Sequence, residues 1–346
     1  MEKNGEIVIS SKNLKHNFLE IKRSCGGKKI CLMIKANAYG HGMIKIYDLM
    51  KGMVDFFGVS NISEAMEIKH HDPFANVLIV GKTSRFDLCI NNGISFVVDS
   101  KRHFDALVKY IDENESFFPA KIHIKINSGM NRLGIKKRET YRYIFECCEK
   151  RNIIVEGIST HFATAGNDSE FFRQQVKKFN EYICEIPKRH LPIIHVGGSG
   201  VLGEKSLELE YDMLRVGIAM YGYGAKNVKP VLSLKSKIIK TTKISAGEYV
   251  GYSKGFCAEK DMRIGVVPLG YGDGISRRLS NNFSVKINGK LCPAVGNICM
   301  DMFFVDISDV EVKESDEVVV FWDAKKWAQI LGTIPYEILT NMSLVR

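Results

Sequence analysis

From about Lys29 to Met220, short apolar runs alternate with longer mixed segments, and this alternation constrains the fold more than any other feature of the chain. ICLMIKA, FFGVS, NVLIVG, SFVVDS, KIHIKINS, VEGISTHF, PIIHVGGS and MLRVGIAMYG read as strands, each bounded by polar or turn residues. Between them, Gly42–Lys51, Glu64–His70, Phe104–Ile111, Thr140–Arg151 and Phe171–Ile183 read as helices. Roughly eight strand–helix units is the number that closes a parallel barrel. An open doubly wound sheet is the competing arrangement. Lys35, Asn127, His161, Ser199 and Arg215 stand where the strands run out into polar or glycine residues. In a barrel those ends form the face that carries chemistry.

After about Tyr223 the texture changes. VLSLKSKIIKTTKISAGEYVGY, RIGVVPLGYGDG, SVKINGKLCPAVGNICMDMFFVDIS and EVVVFW are β-rich and broken by Gly, Pro and Asn. Asn288-Gly289 is a hairpin-turn pair, and there is no room for helices between these strands. The expected architecture is therefore α/β: a (β/α)8 TIM-type barrel over 11–222, then a C-terminal all-β domain over 223–346. The opening EIVIS, within 1–10, falls outside the barrel's alternation and is expected to join the C-terminal domain.

Composition narrows the function classes. The formal net charge is +10, with 49 Lys and Arg against 39 Asp and Glu. The basic residues are scattered and form no run with interleaved aromatics, so neither a nucleic acid nor a membrane partner is expected. The start MEKNGEIVIS lacks the apolar core of a signal peptide, and no apolar run is long enough to span a bilayer. The nine Cys include no CxxC pair, which argues against a zinc site, and no metal is expected. Reduced thiols in a cytoplasmic protein are the plain reading.

Several residues carry chemical potential. Lys35, in MIKANAYGHG, reads as ending a strand, where a desolvated amine suits Schiff-base chemistry; a lysine snorkelling to solvent is the plainer alternative. KINSGMNRLG sets Lys125 and Arg132 around a Gly turn, and Arg132 can grip a carboxylate in bidentate fashion. His161 ends STHFA, where a lone His is more often a satisfied core residue. HVGGSG, with Ser199, looks like an anion-binding turn, and RVGIAMYG puts Arg215 just before Gly217. In the β domain, small residues flank Tyr252 and Tyr271.

Taken together, KANAYGHG, INSGMNRLG, HFATA, RVGIAMYG, GYGDG and VGNICMDM resemble the alanine racemase family in order and spacing, over nearly the whole chain. The resemblance implies a pyridoxal 5'-phosphate (PLP) enzyme, assembled as a homodimer with an active site shared between subunits. Its activity would be the interconversion of L- and D-alanine by two bases, supplying D-alanine for peptidoglycan. A racemase of the same fold acting on serine or another amino acid is the alternative. Lys35 resembles the lysine that holds PLP. Tyr39, Ser199 and the backbone of Gly217 and Ile218 resemble phosphate contacts. Arg215 resembles the arginine facing the pyridine nitrogen, and His161 the residue beside it. Arg132, the Met300 N–H and the Tyr271 hydroxyl resemble substrate-side contacts, and Lys125 matches a lysine often carbamylated. Tyr252 matches the second catalytic base. The chain departs from the family pattern at Gly198, where Asn is common, and at Val216, where Pro is frequent. Asn127 replaces a frequent Asp, and Leu344 falls where some members carry Tyr.

Overall fold

The computed structural model describes residues 4–114, 117–165, 169–202 and 210–345. Its described residues fall into two compact units. One comprises Lys15–Ala38 and Met43–Val228; the other comprises Met1–Leu14, Tyr39–Gly42 and Lys229–Arg346.

The first unit is a closed parallel barrel. In chain order its strands are β2 (Lys29–Met33), β3 (Phe56–Val59), β4 (Val77–Ile79), β5 (Ser95–Val98), β6 (Ala120–Lys125), β7 (Ile153–His161), β8 (Ile193–Gly197) and β9 (Met213–Val216). The barrel closes because β9 pairs with β2, Arg215 opposite Cys31. That pairing decides against the open sheet, whose first and last strands would be free. The helices α1 (Ser11–Ser24), α2 (Lys35–Gly40), α3 (Met43–Met50), α4 (Ile62–His71), α5 (Phe86–Asn91), α6 (Lys101–Glu113), α7 (Arg138–Cys148) and α8 (Ser169–Ile183) fill the connections. Caps fix two starts: Asn61 accepts from the Glu64 N–H and Ser100 from the His103 N–H. Along α7, Tyr141, Ile144, Phe145 and Cys148 are buried, spaced at i, i+3, i+4 and i+7, so one stripe faces the strands.

One local expectation differs. Strand β2 ends at Met33, and Lys35 does not close the strand but opens the short helix α2. Ala36, Asn37, Ala38 and Tyr39 have φ of 51°, 52°, 52° and 55°, so this turn is left-handed. An L-residue there brings Cβ against the next carbonyl, at roughly 1–2 kcal/mol each. Local preference therefore cannot produce the turn; tertiary contacts must hold it.

The second unit is an eight-stranded antiparallel sheet. Its strands are β1 (Glu6–Ile9), β10 (Leu232–Lys237), β11 (Lys240–Ile244), β14 (Met262–Val267), β15 (Ser284–Ile287), β16 (Lys290–Val295), β17 (Phe303–Asp306) and β18 (Glu317–Phe321). Their spatial order is β1-β10-β18-β15-β16-β17-β14-β11, with β12 (Tyr249–Val250) and β13 (Phe256–Cys257) as a separate ribbon. Strand β1 pairs with β10, Glu6 opposite Lys235. Asn288 and Gly289 both take positive φ and turn β15 into β16, the conformation a two-residue hairpin loop needs. The unit also carries two helices that its strand-rich sequence did not suggest, α9 (Ala324–Leu331) and α10 (Pro335–Asn341). Asp323 caps α9 by accepting from the Lys325 N–H. Trp327 anchors it, with ring centroids 4.9 Å from Phe321 and 5.5 Å from Phe283.

Candidate active site

The register of the barrel brings three residues into one row. His161 on β7 pairs with Gly197 on β8, which pairs with Arg215 on β9. Paired residues on neighbouring strands point to the same face. Gly197 has no side chain, so the His161 ring and the Arg215 guanidinium lean over it from either side. A Cβ there would lie 2.5 Å from Arg215 Nη2 and 2.5 Å from His161 Nδ1. Glycine is required for this close approach.

Arg215 is 7 % exposed and tightly held. Nη1 donates to His195 Nδ1 at 2.8 Å and to the His195 carbonyl at 3.1 Å; Nη2 donates to the Thr160 carbonyl at 2.6 Å. A guanidinium has five N–H groups. These bonds use three of them, and two remain available for a ligand among the described residues. Burial pulls its pKa down to about 10, which still leaves it charged at neutral pH.

Behind Arg215 runs a buried chain that the sequence reading did not single out. His195 Nε2 lies 2.7 Å from His123 Nδ1, and His123 Nε2 lies 2.9 Å from Glu156 Oε2. Ser95 Oγ donates to the same carboxylate oxygen at 2.5 Å. Both histidines are fully buried. The available signal was a polar residue interrupting an apolar strand, in KIHIK and PIIHV.

Around this row gather further cations. Lys125 ends β6 and is 7 % exposed. Burial, then the charges of Arg215 and Arg132, bring its amine down to about 7. The His161 imidazole is pushed down to about 3 by burial, then by Arg215, Arg132, Lys125 and Lys35. It is neutral at any physiological pH. The Lys35 amine is lowered by burial and by Arg132, against an opposing pull from Glu64. Four basic groups thus act on one imidazole, although no two of these residues are sequence neighbours. A shallow surface recess is lined by Lys125, Asn127, Arg132 and His161, among others. Asn127 Oδ1 accepts the N–H groups of Gly129 and Asn131, each at 3.1 Å, and shapes the turn that carries Arg132.

Ser199 follows Gly198, whose φ of 117° only glycine adopts readily. Ser199 Oγ accepts the Ala219 N–H at 3.3 Å, which ties the β8 turn to the turn after β9. In that second turn Ile218 is 2 % exposed, and its N–H has no backbone partner among the described residues. Buried backbone donors are almost always paired, so one left open points to a ligand. Phosphate suits these features: a basic surround, two glycines, a hydroxyl and an open N–H.

The other candidates lie in the second unit. Tyr39 is buried, with its ring centroid 5.9 Å from that of Tyr336, and burial raises its phenol. Tyr252 is 71 % exposed in a short turn where Ser253 and Lys254 take positive φ. Tyr271 and Met300 are brought together: the Tyr271 N–H donates to the Cys299 carbonyl at 3.0 Å and the Gly272 N–H to the Met300 carbonyl at 2.8 Å. Asn297, three residues before Met300, donates from Nδ2 to the Tyr252 carbonyl at 2.8 Å. One segment, Asn297–Met300, therefore braces both tyrosine turns. Among the described residues no cluster of His, Cys, Asp and Glu could hold a metal ion, and no helix is long and apolar enough to cross a membrane.

Comparison with known proteins agrees with this layout. Residues 9–225 match the model of the alanine racemase N-terminal domain, and residues 231–345 that of the alanine racemase C-terminal domain. Alanine racemase 2 of Caldanaerobacter subterraneus subsp. tengcongensis is 33 % identical, over 97 % of this chain and 92 % of its own. The Helicobacter pylori alanine racemase is 31 % identical, over 97 % and 96 %. Among solved structures, the Clostridium difficile 630 alanine racemase superposes with a TM-score of 0.90 at 31 % identity, covering 98 % of this chain and 93 % of that one.

Proposed function

The chain belongs to the alanine racemase family, and from that premise we propose that it interconverts L- and D-alanine with PLP, to supply D-alanine for peptidoglycan. The observation that carries this is the row of His161, Gly197 and Arg215 at the strand ends of the barrel, with Lys125 and Arg132 lining the same recess as His161. Such a site attracts an anionic cofactor and the carboxylate of a substrate.

PLP fits the residues present. Lys35 Nζ would hold it covalently. Ser199 Oγ and the N–H groups of Gly217 and Ile218 would take its phosphate, with the Tyr39 hydroxyl as a further phosphate contact. Arg215 would offer an N–H to its ring nitrogen, and His161 would be the residue next to Arg215 there. When bound, PLP supplies the electron sink that makes the α-proton of an amino acid acidic.

The protein's own residues do the rest. Arg215 donates and does not accept, so it would leave the ring nitrogen unprotonated and restrain the sink. His161, neutral at working pH, adds no second charge there. Arg132 would hold the substrate carboxylate, and the Met300 N–H and the Tyr271 hydroxyl would be further substrate contacts. Lys125, with an amine near 7, is half neutral at physiological pH and suited to carbamylation; the resulting anion would sit among Arg132, Arg215 and Lys35. Lys35 Nζ and the Tyr252 hydroxyl move the α-proton on opposite faces. Tyr252, at 71 % exposed, is offered to the partner subunit of a homodimer.

Borohydride reduction of purified enzyme with PLP, followed by peptide mapping, tests the first element: the label is expected on Lys35, and a label elsewhere rejects the site. Chiral analysis after incubation with separate L-amino acids tests the substrate. D-alanine is the expected major product; faster formation of D-serine would reassign it.

A further inference from the structure

We infer that Glu64 is a positioning residue for Lys35: its carboxylate clamps the left-handed turn that carries the lysine and balances the charge around its amine. The inference rests on the reading of Lys35 as the cofactor lysine. Glu64 itself lies in the first turn of α4, 28 residues beyond Ala36.

The left-handed run from Ala36 to Tyr39 begins immediately after Lys35. The backbone that roots the lysine is therefore in a conformation its residues do not favour. Among the bonds that restrain it are three at its start and middle. The Ala38 N–H reaches the Ile34 carbonyl at 2.8 Å, and Asn37 Oδ1 accepts the Met43 N–H at 2.8 Å. The third comes from outside the segment: Glu64 Oε1 accepts the Ala36 N–H at 2.8 Å.

The other oxygen of Glu64 is anchored to the end of β3. Glu64 Oε2 accepts the Ser60 N–H at 2.7 Å and the Ser60 hydroxyl at 2.8 Å. The Glu64 N–H is in turn capped by Asn61 Oδ1 at 3.0 Å. One carboxylate thus takes three donors from two consecutive strand ends. Three donors hold this carboxylate in place, as a mobile surface acid would not be held.

That anion also acts on Lys35. The charged groups that act on the lysine are Arg132 and Lys125 on one side of the balance and Glu64 on the other, with His161 neutral beside them. Among them Glu64 is the carboxylate that favours the protonated amine. It therefore limits how far burial and Arg132 depress Lys35, and it holds Ala36 while the lysine is free of cofactor.

The test uses the full-length enzyme stripped of cofactor and titrated with PLP, read by the absorbance of the lysine-bound cofactor across pH. Glu64→Gln removes the charge at constant size. Loss of an anion lowers a neighbouring amine's pKa, so the pH midpoint for joining PLP should fall, by about one unit. Glu64→Asp keeps the charge but is one methylene too short to reach both Ser60 and Ala36. Its midpoint should stay near wild type while the PLP dissociation constant rises about tenfold, the effect of one lost charge-assisted hydrogen bond. A wild-type midpoint in Glu64→Gln, or wild-type affinity in Glu64→Asp, overturns the inference. If Glu64→Gln fails to fold, the affinity of Glu64→Asp decides alone. Borohydride mapping of the wild-type enzyme is done first; a label away from Lys35 refutes the cofactor-lysine reading instead, before any Glu64 variant is compared.

Discussion

Nη1 of Arg215 donates to Nδ1 of His195 at 2.8 Å, and because arginine has no acceptor this single bond fixes the protonation of both rings behind it. His195 must carry its proton on Nε2 and donate to His123 Nδ1. His123 then carries its proton on Nε2 and donates to Glu156. Burial, and next the Arg215 charge, hold His195 far below the usual imidazole range, which agrees with a neutral ring. Every bond points from the guanidinium toward the carboxylate.

Glu156 is the terminus of that chain, so its removal orphans a buried donor. Glu156→Ala should lower stability by ~1–3 kcal/mol, the cost of an unpaired buried polar group. Glu156→Gln, whose carbonyl oxygen still accepts from His123, should lose less. Urea unfolding measures both. Nitrogen-15 spectra of labelled histidine should show His195 Nδ1 without a proton from pH 5 to 9; a protonated Nδ1 would refute the direction of the chain.

Gly197 leaves room for His161 and Arg215 to meet. Gly197→Ala sets a methyl 2.5 Å from each, and Arg215 cannot retreat without breaking its bonds to His195 and Thr160. The variant should fold, because the displaced atoms are side-chain ends, yet bind PLP at least tenfold more weakly. Cofactor titration by absorbance checks this; unchanged affinity would show that the pair can shift without consequence.

Lys125 gives a pH signature. Its folded amine sits near 7, against about 10.4 in an unfolded chain. Between those values the unfolded state holds a proton that the folded state lacks, so stability rises with pH across that window. Below about pH 7 the amine is charged in both states and the cost of burying it is fully present. In buffer free of carbon dioxide, Lys125→Met should flatten the rise between pH 7 and 10 and gain on the order of 1–3 kcal/mol at pH 6, after discounting for relaxation of the buried charge. Parallel stability curves for the two proteins would show that Lys125 titrates normally.

Tyr252 should separate the two faces of the reaction. Tyr252→Phe is expected to lose racemisation in both directions, by ~10²- to 10⁴-fold for removal of a general base. It should still exchange the α-proton of D-alanine with deuterated solvent through Lys35, while exchange from L-alanine falls much further. Equal losses would point to one base. Mixing Lys35→Ala with Tyr252→Phe should restore activity in heterodimers; no recovery despite subunit exchange would argue against a shared site.

Much of this architecture was legible from local pattern. Alternation of apolar strands with amphipathic helices repeats within tens of residues, and Asn288-Gly289 announces its own turn. The helix at Ala324–Leu331 was less visible because only Ala324, Trp327 and Ala328 face inward, too short a stripe to stand out beside strands. The strand reading of MIKA failed at Lys35 because nothing in those residues favours four left-handed conformations in succession.

The sequence by itself determined the order of strands and helices, the residue types at the strand ends and the family they resemble. These depend on hydrophobic periodicity and on short motifs, both read along the chain. Only the tertiary structure decided what those residues are. The closing pair of β9 with β2 sets Arg215 beside Cys31, and the β7–β8–β9 row sets His161 beside Arg215. The 28-residue step from Ala36 to Glu64 and the 72-residue step from His123 to His195 become single hydrogen bonds. Protonation, tautomer and backbone strain are set by neighbours within a few ångströms and by exclusion of water. Those neighbours are chosen by strand pairing, which no local stretch of sequence contains.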